Sequence, residues 1–418
     1  MPSVIPAQSR SNSGTNQLRS GTPAPGSKIR FRQGNHEDFY RTLKARVNTY
    51  LDATGKSRYA DRTVAAKGIL FASIAIAAYG LILSGWLQPW GMLALANVFG
   101  VAALLLSVNV GHDAAHDTLF RNQKLNGLVL FGCFALLGAD PYLWRMRHVK
   151  SHHAFPNVNG CDIDIDSNIF LRLSPNHRRR CYQRFQHLYA PLIFWLVDIH
   201  TVFIQDPRYL LKHSLANLAN IRHPISVYLR FVLCKAAFLS IVFVIPAIIL
   251  QIPWWQVLVG ALLMSFVASC VFVYMLIGTH FAEETAFPEI SPDGTIAHGW
   301  ATHAMITALD WSPHSRLALF IAGGTNCHAA HHLFPNVSHA HYIPITEIVT
   351  RTAQEYGIRY NVTTLPRMVV SHFRFLKRMA KAEPTDLAEH AARHCERGGT
   401  SDHTSRPAVG PIGTTALR

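Results

Sequence analysis

Four stretches of the chain are almost wholly apolar: residues 68–87, 91–110, 231–250 and 255–277. A helix needs about 20 such residues to cross a bilayer core. Gln88-Pro89-Trp90 separates the first two, and Gln251-Ile252-Pro253 the last two, so they pair into two helical hairpins. The long polar segment 111–225 lies between the hairpins and holds two weaker apolar runs. Residues 126–139 are too few to span, which leaves a re-entrant, interfacial or buried helix. Residues 188–204 are interrupted by Asp198 and His200 and read as an interfacial helix. Phe39, Leu43, Val47 and Leu51 recur every four residues, predicting an amphipathic helix over 35–54 that lies on the membrane or on a polar body. Residues 344–356 and 365–382 read as further helices. Residues 1–30 and 383–418 are polar and low in apolar content, as disordered tails are, and they flank a single domain over 31–382. The fold class expected is an all-α integral membrane protein: four transmembrane helices in two hairpins, with a helical cap on one side.

Composition agrees with that class. Hydrophobic residues make up 49% and charged residues 15%, against roughly 25% charged in a soluble domain. Neither outer turn carries Lys or Arg, whereas Arg62, Lys67, Arg121, Lys124, Arg230 and Lys235 flank the opposite ends of the runs. The positive-inside rule makes that side, the cap and both termini cytoplasmic. The formal charge of +15 comes without a nucleic-acid motif. The run Arg178-Arg179-Arg180 suits anionic headgroups or an ordinary solvated face. The seven cysteines include no C-x-x-C pair, so neither a disulfide framework nor a zinc ribbon is expected. The N-terminus lacks an apolar core, so no cleaved secretory signal is expected.

Histidine becomes informative where the apolar runs end. His112 and His116 stand where the second run leaves the membrane, and His280 where the fourth does. His148, His152 and His153 form a second cluster, and His328, His331 and His332 a third. Spacings of three and four share one helix face, and the hairpins deliver every cluster to one side of the membrane. Neutral imidazole suits Fe, Cu, Zn and Ni. One zinc takes about four ligands, so nine imidazoles fit two ions better than one. The Glu and Glu-x-x-His pattern of carboxylate-bridged di-iron bundles is not the pattern here. An all-nitrogen site at a membrane surface suggests iron used for O₂ chemistry on a molecule that partitions into the bilayer.

His112-Asp-Ala-Ala-His116, His148-x-x-x-His152-His153 and His328-x-x-His331-His332, in this order, resemble the three histidine boxes of membrane fatty acid desaturases and their hydroxylase relatives. Gly111 to Asp117, Asp162-Ile-Asp-Ile-Asp166, Gly323-Gly324-Thr-Asn326 and His331 to His339 resemble the bacterial acyl-lipid and linoleoyl-CoA-desaturase-like branch, over roughly residues 36–375. The resemblance implies a di-iron centre between membrane and cap, above a tunnel for an acyl chain. The metal ligands it implies are the eight box histidines, with His280 as the ninth. It implies that O₂ and two electrons convert a saturated C–C unit to a cis double bond, in a bacterial inner membrane. The acyl substrate would be carried by lipid, CoA or acyl carrier protein. No His-Pro-Gly-Gly haem motif is present, so an external donor of the ferredoxin or cytochrome b5 type is expected. Front-end members often have Gln where this chain has His328 and Glu where it has Ala330.

Ligating histidines usually donate their second N–H to a carboxylate or carbonyl. Asp113, Asp117, Asp162, Asp166, Glu283 and Asp310 are candidate partners, with solvated or capping acids as the alternative. Asn326 is a candidate water-holding residue or a helix N-cap. His303, His314, His339 and His341 read as hydrogen-bonded structural histidines. The same boxes would serve a hydroxylase or an acetylenase. A histidine-rich metal transporter would place ionisable groups near the bilayer midplane, but the four runs hold only Lys235, near one end.

Overall fold

The computed structural model describes residues 29–32, 37–166 and 168–381, so the expected tails lie almost wholly outside the described residues. Among the described residues, four helices are long and apolar enough to cross a membrane: Arg62–Leu83, Pro89–Ala115, Ile225–Ile249 and Trp254–Thr279. Their boundaries come from local chemistry. The Asp61 carboxylate accepts the N–H groups of Thr63 and Val64 and starts the first. Pro89 opens the second, where its missing N–H costs nothing. The second and fourth spans pack closely because Gly100 has no side chain. A Cβ there would lie 2.4 Å from Met264 Cγ.

The two weaker apolar runs belong to bent pairs of helices, the first as one arm of its pair. Gln123–Leu137 and Pro141–His152 meet at 108°, Cys181–Trp195 and Val197–Leu210 at 73°. The second pair therefore departs from the single interfacial helix expected over 188–204. It breaks at Leu196, and the Asp198 N–H donates to Ser269 Oγ of the fourth span at 3.0 Å. Leu188, Leu192, Trp195, Phe203 and Ile204 remain exposed, as side chains facing lipid do.

Beyond the spans lies a helical cap with two short parallel strand pairs, Arg30–Phe31 with Thr295–Ile296 and Asp310–Trp311 with Val362–Thr363. The amphipathic helix forms over Glu37–Thr54. Its apolar stripe chooses the cap rather than the membrane: Phe39, Leu43 and Val47 are buried against Ile345, Val349 and Ala353 of the helix Tyr342–Glu355. Leu365–Lys381 buries Phe375, Leu376 and Met379 against Leu171, Ala190 and Phe194.

Two basic residues read as flanking charges are inside. Lys67 is buried, with Nζ 2.6 Å from Asn109 Oδ1 and 2.7 Å from His339 Nε2. Lys235 donates to Gly138 O at 2.6 Å and pairs with Asp206 at 2.7 Å. Both positions are long side chains near helix ends, where snorkelling is the usual outcome. Here acceptors supplied from distant segments hold the ammonium groups instead.

Candidate metal centre

The three boxes are aimed by departures from regular helix. A π-helical segment, Ser107–Gly111, immediately precedes His112, and another, Met146–His152, contains His148 and His152. A π turn inserts one residue and rotates the side chains beyond it to a new direction, frequently at functional sites. The third box lies on the short helix His328–Leu333. It is reached through Gly323 and Gly324, with φ of +57° and +87°. Only glycine is at ease there, and space adds a second reason. A Cβ on Gly323 would lie 2.5 Å from Val108 O, and one on Gly324 2.6 Å from His339 Cβ. The turn bearing the third box is thus pressed onto the π segment bearing the first. Asp310 Oδ1 accepts the Ala329 N–H at 2.8 Å and caps this helix, while Tyr360 donates to Oδ2 at 2.8 Å. Burial pushes the Asp310 carboxyl up to about 7.

Eight of the nine predicted histidines form two groups, each with its ligand nitrogens within 4.8 Å of one another: His112, His116, His148 and His331, then His152, His280, His328 and His332. His153 lies between the groups. Its Nε2 is 3.1 Å from His148 Nε2 and 2.9 Å from His331 Nε2, and its ring stacks on His332 at 4.3 Å. In the second group the Nε2 atoms of His280, His328 and His332 form a triangle with sides of 2.7, 3.0 and 3.2 Å. A ring nitrogen is either a donor or an acceptor. Three mutual contacts cannot all join a donor to an acceptor, so protons alone leave the triangle frustrated. A cation among three inward lone pairs removes the conflict, and the donor set therefore fits a metal ion.

Charge state points the same way, except at His152, where burial lowers the ring but the Asp162 carboxylate outweighs it and raises it. His153, His280, His331 and His332 are pushed well below the usual imidazole range, first by burial and then by the neighbouring histidines. His328 is pushed down to about 3 by burial first. Neutral imidazole is the ligating form. The outer nitrogens are partly fixed as well. His152 Nδ1 is 3.0 Å from Asp162 Oδ2, His280 Nδ1 is 2.9 Å from Thr307 O, and His331 Nδ1 is 3.3 Å from the Tyr342 hydroxyl. A proton on Nδ1 leaves the Nε2 lone pair directed inward.

A profile of the family described as fatty acid desaturase matches residues 43–364. The chain belongs to this family. It is a membrane fatty acid desaturase, an oxidoreductase, with clustered histidines able to hold metal. It is 27% identical to an sn-1 linoleoyl-lipid 6-desaturase of Arthrospira platensis, covering 87% of this chain and 98% of that protein. It is 28% identical to the protein of the same name from Synechocystis, over 85% of this chain and 98% of the relative. An acyl-lipid (8-3)-desaturase of Physcomitrium patens is 25% identical, over 85% of this chain and 74% of the relative.

The acids expected beside the desaturase histidines separate. Asp162 reaches His152, and the Asn157 N–H steadies the same carboxylate oxygen at 2.9 Å. Asp113 instead accepts from Ser338 at 2.6 Å and contacts His339 at 3.0 Å. Asp117 pairs with Arg145 at 2.8 Å, and Glu283 faces Arg378 at 3.9 Å. The Asp166 side chain lies outside the described residues. Asn326 does not cap the third-box helix. Its Nδ2 donates to Ser312 O at 3.4 Å, and its buried Oδ1 has no hydrogen-bond partner among the described residues. His303 and His341 contact the carbonyls of Pro156 and Ser57 at 2.8 and 2.9 Å. Sequence reasoning missed Asn157 and Tyr342. Asn157 comes directly after a proline and adopts φ of +61°, a turn signal that was available. Tyr342, 11 residues after His331, carried no local signal.

Proposed function

We propose that this desaturase is an O₂-dependent di-iron enzyme that inserts a cis double bond near the carboxyl end of a lipid-linked acyl chain. Nine histidines would hold the metals: His112, His116, His148 and His331 around one, His152, His280, His328 and His332 around the other, and His153 between. The convergence of eight histidines into two groups, with His153 between them, carries the reading. An unactivated C–H bond offers no acidic proton and no leaving group, so two bound irons would supply the oxidative chemistry that side chains cannot. The protein's part is orientation. Asp162, the Thr307 carbonyl and Tyr342 hold Nδ1 protons on His152, His280 and His331. The unpartnered Asn326 Oδ1 suits a water beside the third box. Two electrons would come from an external ferredoxin or cytochrome b5 type donor. Residues 31–382 would form the catalytic unit, with the cap cytoplasmic in a bacterial inner membrane. The uncharged outer turns support that orientation. The names of the relatives support a lipid-borne substrate and a double bond close to the ester.

The test is expression in a host supplied with linoleate, together with mass spectrometry of the fatty acids and metal analysis of the purified protein. The expected results are a new alkene near the carboxyl end and iron near two per chain. A hydroxylated or triple-bonded chain without a new alkene, or protein purified with its metal retained but holding no iron, would overturn the reading.

A further inference from the structure

The two histidine groups differ in access. His152, His280, His328 and His332 are all buried, whereas His116 and His148 of the other group are partly exposed. His116 and His148 are therefore the ring-bearing residues nearest the surface, and their rings lie 5.3 Å apart. One ion pair links the segments that carry them. Asp117 is the residue after His116, and Arg145 precedes His148 by three residues on the same bent helix. Arg145 Nη2 donates to Asp117 Oδ2 at 2.8 Å, with the two side chains 36% and 37% exposed. Trp144, beside Arg145, packs on His148 at 4.4 Å and closes one flank.

Two observations set this pair apart from a chance surface contact. The pair joins the residue that follows the first box to the helix of the second, with Asp117 in a left-handed turn at φ of +58° that Asp accepts more readily than most residues. An exposed ion pair contributes at most about 1 kcal/mol, so stability alone is a weak account of it. The neighbourhood is also lipid-facing: Phe120, Leu125 and Leu128 are exposed on the segment just after Asp117. A charged pair beside exposed apolar side chains suits a ligand that is polar at one end and apolar at the other.

We propose that Arg145, oriented by Asp117, binds the ester carbonyl of the lipid-borne acyl chain and thereby sets which carbons reach the metals. This rests on the desaturase reading of the histidine site. A guanidinium has five N–H donors, and Asp117 engages one. It can therefore keep its carboxylate and still donate to a carbonyl. A bond near the ester can be oxidised only if the ester lies beside the cluster. That is where Arg145 stands, on the helix that also carries His148. Losing the anchor should let the chain slide, so product position and apparent KM should change together.

The full chain, Arg145→Gln, Arg145→Lys and Asp117→Asn are expressed in host membranes supplied with linoleate. Double-bond positions are read by mass spectrometry of derivatised esters, and iron is measured per purified chain. Wild type should give one positional isomer. Arg145→Gln should keep its iron, raise the apparent KM roughly tenfold or more, and yield displaced isomers. Arg145→Lys, with donors retained, should restore much of the wild-type position. Asp117→Asn should show a milder form of the same defect. The proposal is overturned if Arg145→Gln keeps wild-type isomer purity and KM. It is equally overturned if Arg145→Gln loses iron in step with activity, since the pair would then be a brace between two boxes. If wild type itself makes no new alkene, the desaturase reading fails and takes this proposal with it.

Discussion

The two halves of the histidine cluster use the same ligand chemistry and differ in burial and in the partners of their outer nitrogens. The closed half, His152, His280, His328 and His332, is buried on every member. It is backed by a carboxylate at His152, a carbonyl at His280 and the capped third-box helix. The open half has two partly exposed members, one hydroxyl partner at His331 and a charged pair at its edge. Rigid backing suits holding a metal, and exposure suits meeting a substrate. On the proposed di-iron reading, retention would fall mainly to the closed half and substrate access to the open half.

The largest expected effect tests whether both halves are needed. Replacing His332 or His331 with Ala should cut turnover roughly a hundredfold or more while the protein still inserts in membranes. Metal analysis should show His332→Ala losing more iron than His331→Ala. Equal loss from both would erase the distinction between halves. Chelation comes next. A membrane-permeant chelator should abolish activity, and the ion released first should restore turnover when iron is added back. Simultaneous release of both ions at every chelator concentration would argue against unequal halves.

The outer partners give a finer test. Asp162→Asn should weaken metal retention about 10- to 100-fold, because a charged acceptor behind His152 is lost. Tyr342→Phe removes one neutral partner of His331 at 3.3 Å and should cost only about two- to tenfold. The reverse order in a metal-competition assay would contradict the ranking.

The smallest effect concerns acid. His303 Nε2 contacts Pro156 O and His372 Nδ1 contacts Phe281 O, both beside the closed half. Burial pushes each from 6.5 down to about 4. The folded state thus favours the neutral ring, and the unfolded chain takes up the proton first. Stability is full above pH 6.5 and declines as pH falls toward 4, by about 2 kcal/mol per ring at pH 5. Thermal unfolding in detergent should show His303→Gln losing less stability than wild type between pH 7 and 5. An identical pH dependence would remove His303 from the account.

Much of the architecture was legible in the residues for physical reasons. Long apolar runs have one stable outcome in a bilayer, and the four helices formed where expected, within a few residues at each end. Box spacing needed only helix periodicity. Less was legible where partners come from far along the chain. Lys67 lies 272 residues from His339, and Lys235 29 from Asp206, so no local pattern could distinguish these paired ammonium groups from snorkelling ones. Asp113 looked as apt a partner for a histidine ligand as Asp162 did, yet Ser338 and His339 hold it.

The sequence alone marked four helices long and apolar enough to cross, brought the histidines to the same ends of those helices, and made imidazole rather than carboxylate line the site. These depend on composition and short-range spacing. Only the tertiary structure decided how the nine rings divide, which half is closed, and which acid stands behind which ligand. Those outcomes depend on π turns, on the glycine contacts at 323 and 324, and on side chains meeting across long separations. Their energies arise only once the spans and the cap are packed together.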